Sequence, residues 1–245
     1  MDDHLKGLNK EQKEAALHAE GPLLIVAGAG AGKTKTITHR IVNLIKNGVA
    51  PDKILAVTFT NKAAKEMRDR ISLAIKDSFV GNAFSEVLGS LGPSPSQTIR
   101  KSIPDSTPFV STFHSLGVFI IKENARLLGL TKYFTILDEG DSTSLIKEIL
   151  KELGIDPKQH DPKKIKNIIS REKGKFIELE EYGEGTHDYL RKVVSRVWNL
   201  YEKKKEKEKS LDFDDLLLKV VKLLKENKEI RQIYQEKWEY IHIDE

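Results

Sequence analysis

Leu23-Leu24-Ile25-Val26, followed by Ala27-Gly28-Ala29-Gly30-Ala31-Gly32-Lys33-Thr34, is the stretch that decides the fold. The apolar run through Ala27 reads as a buried strand. From Lys33 onward Ile37, Ile41, Leu44 and Ile45 recur at helical spacing until Gly48 and Pro51. Between the two, side-chain-free residues let consecutive backbone N–H groups turn inward around phosphate oxygens. The following helix points its positive end at them, and Lys33 adds a mobile cation. Thr34 would place a hydroxyl on Mg²⁺. The strict pattern G-x-x-x-x-G-K-[ST] asks for glycine at position 27 and finds Ala27, so a small residue suffices there. A flexible glycine hinge would not account for Gly32-Lys33-Thr34 in register with strand and helix.

Working outward, Asn9 with Gln12 three residues on forms an N-cap signature for a short helix to about His18. Ile54-Leu55-Ala56-Val57 is a second apolar strand. A helix capped by Thr60 follows to about Asp77, with Ala64, Met67, Ile71 and Ile75 on one face. Glycines, prolines and serines make 78–108 a loop or loosely ordered insertion. Phe109 to Phe113 reads as a further short strand. Beyond it the pattern turns helical: 116–128, 141–153, 162–172 capped by Asp161, 186 to about 207, and 211–227. The expected organisation is an α/β P-loop core with a parallel sheet, residues 1–115 and 209–245, interrupted by an inserted helical subdomain, 116–208.

With 245 residues, 39% of them apolar, the chain can bury a sizeable core. Zero cysteines exclude disulfides, thiolate nucleophiles and thiolate-bound metal, so a metal would sit on oxygen ligands. No run is apolar enough to cross a bilayer and no secretory signal opens the chain, which points to the cytoplasm. Net charge +4 permits a nucleic-acid partner without demanding one. The excess is spread evenly, with 19 basic and 17 acidic residues in 116–208, so charge does not single out a binding face.

Three further strings carry chemistry. Ile241-His242-Ile243-Asp244-Glu245 is an apolar strand ending on two carboxylates, as a P-loop site needs: one near Mg²⁺ and one to activate water. Parallel strands bring their C-terminal ends to one edge of the sheet, where ligands bind. A natural domain rarely stops at such a point, so a longer parent protein is expected. Thr58-Phe59-Thr60-Asn61-Lys62-Ala63-Ala64 leaves the second strand at that same edge, with an aromatic, an amide and a cation suited to single-stranded nucleic acid. Spacing alone reads Phe59 as an ordinary core residue. Ser111-Thr112-Phe113-His114-Ser115 repeats the arrangement, and a lone His114 is usually structural.

Taken in order, these motifs resemble the N-terminal part of superfamily 1 DNA helicases of the UvrD/Rep/PcrA type. Leu8-Asn9-Lys10-Glu11-Gln12 resembles their adenine-reading Q motif, residues 27–34 their Walker A, 58–64 their motif Ia, 112–114 their motif Ib and 241–245 the opening of their Walker B. Leu211-Asp212-Phe213-Asp214-Asp215-Leu216-Leu217 is similar to another segment of that group. The resemblance implies a RecA-like core using ATP and Mg²⁺ to translocate 3′ to 5′ on single-stranded DNA and at single-strand/duplex junctions. It gives Gln12 to adenine, Ala27, Gly28, Ala29, Gly30, Ala31, Gly32, Lys33 and Thr34 to the phosphates, and Thr34 with Asp244 to the metal. Lys33, Asp244 and Glu245 would be catalytic, and Phe59, Asn61, Lys62, Thr112 and His114 would lie along the DNA. It also implies a second RecA-like core that supplies arginine fingers, worth about 10³ to 10⁵ in rate. A chain lacking that core is expected to bind ATP weakly and hydrolyse it negligibly. Two alternatives stay open: a helicase-nuclease subunit of the RecB/AddA kind, and an ATP-gated DNA-binding module that does not unwind.

Overall fold

Asn9 caps the first helix, α1 (Lys10–Leu17), through the expected reciprocal bonds with Gln12. It is preceded by a single 3₁₀ turn, Asp3–Leu5. The computed structural model describes residues 3–89, 107–183 and 187–244. Gly32, at φ +85°, turns the chain into α2 (Lys33–Lys46). Next come β1 (Ile54–Thr58), α3 (Asn61–Gly89) and β2 (Phe109–Thr112). The Thr60 hydroxyl accepts the Ala63 N–H at 3.1 Å and so opens α3 as expected. That helix continues through 78–89, where a loop was expected. Gly81 is a single weak breaker, and Phe79, Ala83, Phe84, Val87 and Leu88 keep helical spacing in the sequence. The rest of the expected loop, 90–106, lies outside the described residues.

The helical part begins with α4 (Phe113–Glu123), directly out of β2, and is followed by β3 (Thr135–Ile136). Then come α5 (Glu139–Glu152), α6 (Pro162–Gly174), α7 (Leu179–Gly183) and α8 (Tyr189–Lys207). β4 (Ser210–Leu211) pairs in parallel with β3, and α9 (Phe213–Glu226) follows. Its core gathers Ile146 and Ile149 of α5, Ile165 and Ile169 of α6, and Val194, Val197 and Trp198 of α8.

The chain closes through α10 (Lys228–Lys237) into β5 (Tyr240–Asp244). It divides into two compact units, Met1–Phe113 with Arg231–Glu245, and His114–Ile230. The expected boundary at 208 therefore moves: 209–230 cluster with the helical unit, because Leu211 and Leu216 share one apolar cluster with Ile121 and Phe134. In the first unit β1 is central and buried at every residue, with β2 and β5 parallel on either side. α2 and α3 cover the sheet through Ile41, Val42, Ile45, Met67 and Ile71.

One expected strand is absent. Leu23–Ala27 forms no strand, and Leu24 and Val26 are 85% and 87% exposed. A continuous apolar strand needs cover on both faces. Among the described residues this segment lacks it, and the neighbouring Ile241 and Ile243 of β5 are themselves exposed.

Candidate active site

The glycine-rich loop owes its shape to two left-handed residues, Gly30 at φ +76° and Gly32 at φ +85°, and to a turn in which the Ala31 N–H donates to the Gly28 carbonyl at 3.2 Å. A Cβ added at Gly28 or Gly30 would meet open space, so the loop leaves room beside its backbone. Lys33 folds back over this space, and its ammonium donates to the carbonyls of Ala27 at 2.8 Å and Gly28 at 3.1 Å. The lysine thus spends its donors on the loop's own carbonyls, weak acceptors that an anionic oxygen would outcompete.

Thr34 and Asp244 are 210 residues apart, yet the Thr34 hydroxyl donates to Asp244 Oδ2 at 2.7 Å. β5 supplies the carboxylate: pairing with β1 sets Asp244 opposite Thr58, and pairing with β2 sets Thr58 opposite Thr112. Thr112, Thr58 and Asp244 therefore form one row across the C-terminal edge of the sheet. Asp244 is 6% exposed. Two hard oxygens in contact at the mouth of the loop fit a small divalent cation such as Mg²⁺. Glu245 lies outside the described residues.

Gln12 reaches the loop from α1. Its Oε1 accepts the Asn9 N–H at 3.0 Å and its Nε2 donates to the Ala31 carbonyl at 3.0 Å. Both the expected cap and a place beside the loop belong to this one side chain. Between 21–25 and β5 a groove of about 500 Å³ is lined by Lys33, Ile37, Arg40, His242 and Asp244 among others. His242 is buried in it with neither ring nitrogen bonded among the described residues. Burial, then the Arg40 guanidinium, pushes its pKa down to about 4, so the imidazole is neutral.

Phe59 is 63% exposed, not a core residue as its spacing implied, and its ring sits 5.3 Å from that of Phe113 at 57°. Asn61 and Lys62 are exposed at the start of α3, and the buried Thr112 ends β2. Phe59, Asn61, Lys62 and Thr112 thus share the edge that carries Thr34 and Asp244. His114 belongs to the second unit, where it meets Phe213 edge to face at 5.4 Å.

Two features escaped the sequence reading. Phe113 supports Phe59, which the repeated TF pair in 58–59 and 112–113 could have indicated. In the helical unit Lys173 and Lys205 bridge Asp212 and Asp215: Lys205 lies 2.8 and 2.7 Å from them and Lys173 3.2 and 2.7 Å. The two aspartates also form the capping box of α9. The string 211–217 showed the aspartates, but nothing in it named Lys205, 7 residues before Asp212, or Lys173, 39 residues before it.

The family model of the UvrD/REP helicase N-terminal domain matches residues 8–245. A protein of Bacillus subtilis (strain 168) named ATP-dependent DNA helicase PcrA is 41% identical over 242 residues, covering 98% of this chain and 29% of that protein. Proteins of the same name are 36% identical in Leuconostoc citreum, over 98% of this chain and 29% of theirs. In Staphylococcus aureus (strain Mu50 / ATCC 700699) the identity is 36%, over 100% of this chain and 30% of theirs. The chain spans somewhat under a third of the length of these relatives. On its motifs, its parallel sheet and these matches, it belongs to the UvrD/REP helicase N-terminal domain family.

Proposed function

We propose that this chain is the ATP-binding part of an ATP-dependent DNA helicase that moves 3′ to 5′ on single strands and opens duplex at junctions. The observation that carries the reading is the 2.7 Å bond between the Thr34 hydroxyl and Asp244, which joins the phosphate loop to the end of β5. In this reading Gln12 gives up its bonds to Asn9 and Ala31 to read the adenine edge. The N–H groups of 27–32 and of the first turn of α2 wrap the phosphates, and the Lys33 ammonium moves from the Ala27 and Gly28 carbonyls to the β and γ oxygens. Thr34 and Asp244 would hold Mg²⁺, which when bound neutralises charge on the transferring phosphoryl group. Glu245 orients the attacking water and takes its proton. Along the same edge Phe59, backed by Phe113, stacks on a base, while Asn61, Lys62 and Thr112 follow the strand; the family resemblance gives His114 a DNA contact as well.

Residues from the rest of the longer protein complete the site with cationic groups on the γ-phosphoryl, so this chain alone binds nucleotide and turns it over negligibly. The test is binding of a labelled ATP analogue with Mg²⁺ to this chain and to Lys33→Ala, with and without a single-stranded oligonucleotide. Loss of at least tenfold in affinity on removing Lys33, about 1.4 kcal/mol, is expected. Equal binding by both chains, or brisk DNA-stimulated hydrolysis by this chain alone, would overturn the reading.

A further inference from the structure

Helix α2 does more than open on the loop. Lys35, His39, Asn43 and Lys46 follow one another at intervals of four, four and three residues, one row along the helix. All four reach the segment in front of α1. Lys35 Nζ donates to the Gly7 carbonyl at 2.8 Å, and His39 Nδ1 donates to the His4 carbonyl. The His4 ring takes the other two: its Nε2 lies 3.1 Å from Asn43 Oδ1 and its Nδ1 3.3 Å from Lys46 Nζ. A lysine ammonium can only donate, so Nδ1 is the accepting nitrogen and Nε2 carries the hydrogen given to Asn43. One neutral tautomer satisfies both partners, and Asn43, only 4% exposed, has its buried oxygen matched.

What this row holds is the arm that carries Gln12. α1 has eight residues, too few to be stable alone, and the arm's own apolar anchor is the small cluster of Leu5, Leu8 and Ala16. At the far end of the arm a Cβ on Gly32 would stand 3.0 Å from Gln12 Nε2, so arm and loop meet without slack. A shift of the arm by a fraction of an ångström therefore moves the Gln12 amide against the phosphate loop, and with it any base placed between them.

We infer that His39, acting through the His4 carbonyl, and His4, acting through Asn43 and Lys46, are positioning residues for base recognition by Gln12. This rests on the nucleotide-site reading above. They touch no nucleotide; they fix the distance between the group that reads the base and the loop that holds the phosphates. Their loss is felt in the part of the affinity that depends on the base and not in the part that depends on phosphate.

The experiment is competition of a labelled ATP analogue on this chain, with Mg²⁺, by ATP, GTP and inorganic tripolyphosphate. The wild-type chain is expected to favour ATP over both competitors. His39→Ala should lose about fivefold in ATP affinity, one hydrogen bond's worth, with tripolyphosphate unchanged and the preference over GTP reduced. His39→Asn, whose amide can donate to the same carbonyl, should restore most of it. Lys46→Met, a milder change that removes only the donor to His4 Nδ1, should shift the same ratios in the same direction and serves if His39→Ala does not fold. A wild-type preference retained by both His39→Ala and Lys46→Met, or an equal loss for ATP and tripolyphosphate, would overturn the inference alone. A wild-type chain that binds tripolyphosphate as tightly as ATP would remove Gln12 from the site and the inference with it.

Discussion

Replacing Lys205 by methionine tests whether the buried charges of the helical unit act as one network. Lys205 is 2% exposed, and its ammonium meets Glu202 at 3.0 Å, Asp212 at 2.8 Å and Asp215 at 2.7 Å. Methionine keeps the length of the stem and deletes the charge. Lys173 is then left as the one ammonium against two buried aspartates, with the Tyr201 hydroxyl donating to Asp212 at 3.1 Å. Removing one member of a buried ionic cluster costs about 3–5 kcal/mol, because the remaining charge has already given up its water. For a domain of this size that lowers Tm by roughly 6–20 °C. Trp198, whose indole N–H donates to Glu202 at 3.2 Å, reports on the network when Trp238 is changed to Phe. The pH dependence supplies an independent check. Burial alone would raise the Asp212 pKa; the ammoniums of Lys173 and Lys205 outweigh it and hold the carboxyl well below its ordinary 3.8. A depressed acid contributes its stability above the unfolded value and loses it as pH falls through the folded one. The gap between wild type and Lys205→Met is therefore full near neutrality and narrows below about pH 4. A difference under 1 kcal/mol at pH 7, or a gap independent of pH, would refute the reasoning.

Gly117→Ala places a Cβ 2.3 Å from the Leu216 carbonyl oxygen, so α4 and α9 must separate. A loss of about 1–3 kcal/mol in urea unfolding is expected, and an unchanged midpoint would contradict the close approach. Phe59→Ala removes a ring that is 63% exposed, so stability should stay within about 0.5 kcal/mol while affinity for single-stranded oligonucleotides falls by about 1–3 kcal/mol. Equal affinity, measured by fluorescence anisotropy, would take Phe59 out of the proposed DNA track.

The loop at 27–34 was legible because its chemistry is local: small residues, a lysine and a hydroxyl between two periodic segments need no knowledge of the rest of the chain. The capping box at Asn9 is local too, and sits within four residues. Leu23–Ala27 shows where that kind of reading stops. Apolar run and flanking turn announce a strand, but strand formation also depends on what lies over each face, and that is set by distant residues. The same limit hid Lys173 and Lys205. A lysine bound for a buried aspartate looks in sequence like any lysine of a charged helix face, and Lys205 stands within the run 203–209, whose mixed charges read as a solvated helix end. Phe59 failed in the opposite sense, since aromatic residues after an apolar strand are common inside cores; its exposure follows from its place beyond the last paired residue of β1. The boundary at 230 was missed because α9 is amphipathic, and periodicity tells that a helix has a partner without telling which.

The order of the strands has a consequence for biosynthesis. β1 is made early, and the partner on one of its edges, β5, emerges only after the whole helical unit has left the ribosome. Until then Ile54, Leu55, Ala56 and Val57 present a bare hydrogen-bonding edge, the kind of template on which a second nascent chain can add. Closing the 181 residues between Thr58 and Tyr240 costs only about 0.6 kcal/mol for each doubling of loop length, so the delay is chiefly one of time. During that interval this edge is an aggregation hazard of the nascent chain.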